Sequence, residues 1–131
     1  MSVVVDASVL VAALTDTGRD GLWAESVLAQ GELAAPQLVL VEATNVLRRL
    51  ERERRLEPRD ANEARRDLLL LPVALFPFEP FAERVWELRR TVSSYDAWYV
   101  ALAEAIDAPL ATLDRRLRRA SGPRCRFLTG V

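Results

Sequence analysis

The sequence predicts an α/β fold, a three-layer α/β/α sandwich with a mainly parallel central sheet. Three observations carry that expectation. Short apolar runs bounded by turn residues alternate with segments of helical periodicity along the whole chain. The first run, Val3 to Val5, is β-branched and uninterrupted, as a strand buried on both faces should be. The stretch SSYDAWYVALAEAI, residues 93–106, is apolar on nearly every side, so a helix there must be central and covered.

The elements follow in order. A strand at 2–5 leads into a short helix at about 8–14, and DTGRDG turns the chain. A helix at about 21–30 ends at Gly31, and a short strand at 33–35 reaches Pro36. A long helix is expected from Pro36 to about Leu56, with Val39, Ala43, Val46, Leu47 and Leu50 on its apolar stripe and RRLERERRLE as a solvated end. Pro58 opens the next helix from a tolerated first-turn position, and Pro72 stops it. VALFPF reads as an edge strand because of Pro77. FAERVWELRRTV is an amphipathic helix, followed by the buried helix at 93–106. PLATL is a strand, DRRLRRA a short helix and CRFLTG a last strand.

Composition excludes several chemistries. The 131 residues contain no histidine, which removes Ser-His-Asp and Cys-His catalysis and histidine-bound zinc. All eighteen basic residues are arginine, so there is no Schiff-base or P-loop lysine. One cysteine, Cys125, permits no intrachain disulfide, and a reducing, cytoplasmic setting is expected. No apolar run approaches the ~20 residues of a membrane span, and Asp6 interrupts what would be a signal peptide. Carboxylates, hydroxyls, arginines and a hard metal ion are the tools that remain. The net charge of −1 is unevenly spread, because the last seventeen residues hold six arginines and no acid. Such a basic end on a mildly acidic body suits a local phosphate-binding surface.

Four acids stand out. Asp6 and Asp114 each follow a strand, and ligands of parallel sheets bind beyond the strands' carboxyl ends, where strand order reverses. Asp96 lies in the first turn of the buried helix. Glu42 is expected inside the long helix among Leu38, Val39, Leu40, Val41 and Ala43, with Asn45 on its face. Asp6 and Asp114 are also suited to cap helices, and Asp96 to form a capping box with Ser93. Glu42 lacks that explanation, because it is expected mid-helix. Converging carboxylates repel by about 4 kcal/mol per pair at ~4 Å and an effective dielectric near 20. They therefore take up protons or a cation, and an all-oxygen set selects Mg²⁺ or Mn²⁺.

The stretches VVVDASVLVAAL, VEATNVLRRL and YDAWYVALAEAIDAPLATLD, with the closing strand, resemble the PIN-domain family, and within it the VapC-type toxins of toxin–antitoxin pairs. The resemblance spans residues 1–131 as a single PIN domain. It implies that Asp6, Glu42, Asp96 and Asp114 are the catalytic and metal-holding acids, with Ser8, Asn45 and Thr112 as their polar supports. It also implies a Mg²⁺- or Mn²⁺-dependent endoribonuclease toxin that cleaves RNA phosphodiesters with activated water. Such a toxin is a homodimer inhibited by a small cognate antitoxin. Arg115 and Arg116, directly after Asp114, are then placed to meet RNA phosphates. The alternatives on the same fold are a non-catalytic RNA- or protein-binding module, and a metal-dependent DNA nuclease or phosphatase.

Overall fold

The computed structural model describes residues 1–130. Five strands form one sheet: β1 (Ser2–Val5), β2 (Glu32–Pro36), β3 (Val73–Phe76), β4 (Leu110–Ala111) and β5 (Phe127–Leu128). Their order is β3-β2-β1-β4-β5, and every pairing is parallel. Val3, Val4 and Val5 are wholly buried in the central strand. At about 1.5–3 kcal/mol for each fully buried aliphatic side chain, this strand anchors the core.

Helices α1 (Ala7–Thr15), α2 (Arg19–Leu28), α3 (Val39–Arg52) and α4 (Pro58–Leu68) pack on one another. After a 3-10 turn at Glu79–Phe81 come α5 (Ala82–Glu87) and α6 (Ser94–Ala105), and α6 lies across β1, β2 and β4. The five-residue α7 (Arg115–Arg119) links β4 to β5. The expected sandwich is therefore present. No helix among the described residues is long and apolar enough to cross a membrane.

Several boundaries differ from those the sequence predicts, each for a visible reason. The long helix starts at Val39, because Pro36 stays in the sheet opposite Phe76 and the Gln37 amide donates to the Phe76 carbonyl at 2.9 Å. It stops at Arg52, where Arg54 turns left-handed at φ 58° and the Arg55 amide closes on the Leu50 carbonyl at 2.9 Å. The helix expected over 81–92 keeps only Ala82–Glu87. Beyond it the chain tightens into turns, and the Thr91 hydroxyl donates to the Ser121 carbonyl at 2.6 Å. α2 ends at Leu28, before Gly31, and α4 ends at Leu68, before Pro72.

Steps from β1 to β3 run one way across the sheet, and the step from β4 to β5 runs the other way. The reversal falls between the neighbours β1 and β4. The carboxyl ends of those two strands therefore open the crevice where a ligand belongs.

Candidate active site

Asp6 leaves β1 and Asp114 follows β4, one on each side of the reversal. Asp6 is also the N-cap of α1, accepting from the Val9 amide at 3.2 Å. Asp114 caps α7, accepting from the amides of Arg116 (2.9 Å) and Leu117 (3.3 Å). Asp96 lies in the first turn of α6, where its amide donates to Ser93 Oγ at 3.2 Å. Glu42, expected mid-helix, lies in the first turn of α3 because that helix begins at Val39. All four acids thus occupy helix N-termini, whose exposed amides and positive dipole ends favour negative charge. Asp6 and Asp114 cap their helices with the same carboxylates that flank the strand reversal.

Asp6 is the most constrained of the four. Ser8 Oγ donates to its Oδ1 at 2.5 Å, and the Thr112 hydroxyl donates to Oδ2. Thr112, 1% exposed, is the one buried polar side chain among the described residues. Its oxygen also accepts from the Asp114 amide at 2.9 Å, so one threonine ties the acid after β1 to the acid after β4. Ser8 Oγ accepts from the Leu113 amide at 3.2 Å and adds a second tie between these strands. The expected supports Ser8 and Thr112 therefore meet Asp6. Asn45 does not reach the acids: it is exposed on α3 and accepts from Arg48 at 3.5 Å.

Tyr99 supplies the support that Asn45 does not. Its hydroxyl donates to Glu42 Oε1 at 2.5 Å, across from α6 to α3. The ring is 2% exposed, and burial together with the adjoining carboxylate pushes the phenol above its ordinary value, so the hydroxyl stays a donor. The available signal was its spacing, since Tyr99 lies three residues after Asp96 and shares its helix face.

The electrostatics centre on Asp96. Burial pushes its carboxyl up, and the charge of Asp114 adds to that, against the Ser93 hydroxyl and the Arg116 charge. Burial likewise raises Glu42 and Asp6. Tyr99 opposes the rise at Glu42; Ser8, Thr112 and the Val9 amide oppose it at Asp6, and the charge of Asp96 reinforces it at both. None of the four acids forms an ion pair among the described residues. Arg115 and Arg116 are both exposed, and the charge of Arg116 reaches Asp96. The donor chemistry fits a hard divalent cation, being all oxygen and without a direct arginine ion pair. No three acids among the described residues form a group that could hold an ion as they stand.

Comparison with known proteins places the chain in a family. The family model for the PIN domain matches residues 3–123. Ribonuclease VapC9 of Mycobacterium tuberculosis is 40% identical over 123 residues, covering 94% of each chain. Ribonuclease VapC1 of the same species is 37% identical over 123 residues, covering 93% of this chain and 92% of its own. Among solved structures, VapBC2 of Rickettsia felis, crystallised on a DNA fragment from its promoter, superposes with a TM-score of 0.68 at 17% identity over 98% of each chain. With a strand reversal flanked by Asp6 and Asp114 and this likeness along nearly all its length, the chain belongs to the PIN-domain family and, within it, to the VapC ribonucleases.

Proposed function

We propose that this protein is an endoribonuclease toxin that hydrolyses RNA phosphodiesters with the help of Mg²⁺ or Mn²⁺ held by Asp6, Glu42, Asp96 and Asp114. One observation carries the reading: mutually repelling, half-buried carboxylates gather around Asp96 at the sheet's reversal point, with no arginine paired to any of them. Such an arrangement is stabilised by an added cation. The names of the VapC ribonuclease relatives supply the substrate class.

A bound divalent ion would supply Lewis acidity toward the phosphodiester and a lowered pKa for water at neutral pH. The chain's own contribution is orientation. Thr112 and Ser8 fix both oxygens of Asp6, so this carboxylate keeps one rotamer. Tyr99 holds Oε1 of Glu42 and leaves Oε2 without a protein donor among the described residues. Asp114 spends Oδ1 on the α7 amides and presents Oδ2. Arg116, the cation whose charge reaches Asp96, is exposed and placed to meet the negative charge of an incoming phosphate.

The solved VapBC2 complex supports a protein antitoxin as partner, and we extend that partner, together with a homodimeric state, to this chain as part of the same reading. Asp96→Asn and Asp6→Asn should each abolish Mg²⁺- or Mn²⁺-dependent cleavage of RNA while circular dichroism stays that of the folded protein. Undiminished cleavage by both variants would refute the assignment. Calorimetry with Mn²⁺ separates an enzyme from a binding module on the same fold. RNA, DNA and small phosphate esters assayed side by side fix the substrate class.

A further inference from the structure

A cavity of about 100 Å³ is lined by Arg19 and Asp20 of α2, Thr112 after β4, Arg115 and Arg118 of α7, and Thr129 after β5. Liquid water occupies ~30 Å³ per molecule, so a phosphate-sized group fits. Its lining carries three arginines against one aspartate. None of the three arginines pairs with a carboxylate among the described residues, Asp20 included. The Nε of Arg118 is shut off from solvent and has no acceptor there. A guanidinium is always charged, so three of them around one cavity, none paired with a carboxylate among the described residues, favour an anion there. Thr112 is common to both places: it lines the cavity and its hydroxyl holds Asp6. An oxyanion among these arginines would therefore lie next to the scissile position.

We infer that the Arg19–Arg115–Arg118 cavity binds a backbone phosphate of the RNA flanking the one that is cut, so that the strand runs from the acids past Thr112 toward the end of β5. This inference rests on the ribonuclease reading for the identity of the polymer. It reassigns the phosphate contacts of α7: Arg115 and Arg118 hold the neighbouring phosphate, while Arg116 attends the acids. It also adds Arg19, which lies almost a hundred residues away in sequence. The planar fork of arginine suits a phosphate's paired oxygens, and Thr129 offers a further hydroxyl.

The test measures binding of a fluorescent single-stranded oligoribonucleotide to the uncleaving Asp6→Asn protein over a range of salt. Arg19→Gln, Arg118→Gln and Arg118→Lys are added to that background, with Arg66→Gln on the exposed side of α4 as the control. Each glutamine variant in the cavity should weaken binding about three- to tenfold and reduce the slope of log K against log salt by about 0.7, the value of one single-strand phosphate contact. Arg118→Lys should retain the slope and lose affinity. Arg19 is exposed, so its variant remains informative if Arg118→Gln fails to fold. Slopes equal to that of the Arg66→Gln control would overturn the inference. So would unchanged RNA binding combined with loss of a hexaglutamate peptide, which would assign the cavity to an acidic protein segment. If the otherwise unsubstituted protein cuts no RNA while Arg19→Gln still lowers the slope, the cleavage reading falls and the phosphate site stands.

Discussion

At the residue scale, Asp6 shows how one side chain serves two purposes. Its carboxylate caps α1 through the Val9 amide, and under the proposed function the bonds from Ser8 and Thr112 orient it for a metal ion. Glu42 depends on Tyr99 in the same way. Groups that orient metal-holding carboxylates typically change affinity or activity by 10–100-fold when removed. Tyr99→Phe should therefore lower Mn²⁺ affinity and RNA cleavage by about that factor while the fold persists, as calorimetry and a cleavage time course would show. Ser8 and Thr112 were legible through the family resemblance, although only Ser8, at the start of α1, lies near Asp6 in sequence and Thr112 reaches it from the far side of the chain. Tyr99 was not, because its partner is fifty-seven positions distant and only the packing of α6 against α3's end makes the contact.

At the scale of elements, the displaced start of α3 decides the character of Glu42. A helix beginning at Pro36 would bury the glutamate mid-helix, whereas one beginning at Val39 puts it in the first turn, where its charge is favoured. Pro36 suits either role on local grounds, and parallel pairing with β3 is what settles it. A second device joins α5, α6 and the loop before β5. Arg84 forks onto Glu104 at 2.7 and 3.1 Å and donates to the Gly122 carbonyl at 2.9 Å, while the Arg124 amide reaches Glu104 at 2.7 Å. Gly122, at φ 107°, is suited to this loop as a residue without a Cβ. Burial pushes the Glu104 carboxyl up, yet the bonds from Arg84 and the Arg124 amide outweigh it and hold the group below its ordinary range. A depressed folded-state pKa contributes stability above the unfolded value and loses it as pH falls through the folded value. Glu104→Gln should thus cost about 2 kcal/mol at neutral pH, and the difference should vanish in acid below the usual carboxylate range, as urea titrations at the two pH values would show.

For the whole molecule, the site is a consequence of topology. The sheet reverses between β1 and β4, so acids that are over a hundred residues apart face one crevice. Metal-free, they repel. Mn²⁺ binding to the folded state alone should therefore raise the melting temperature, by the equivalent of about 2.7 kcal/mol at a hundredfold excess over Kd. Asp96→Asn should remove most of that gain, since the charge of Asp96 acts on Asp6 and Glu42 and that of Asp114 acts on it. A melting temperature that ignores Mn²⁺ would count against the metal site.

By itself the sequence determined the fold class and the central strand, and it singled out four acids as candidates for the site. Those rest on local properties: β-branched runs, helical periodicity, and carboxylates where apolar residues were expected. The tertiary structure decided which polar groups attend the acids, Tyr99 and not Asn45, and how the basic tail is shared out. Arg124 and Arg126 are drawn to Glu104 and Asp107, while Arg115 and Arg118 turn to a cavity completed by Arg19. The reason is physical. Burial and hydrogen bonding between distant segments depend on strand order and on where each helix begins, and no window of neighbouring residues encodes either.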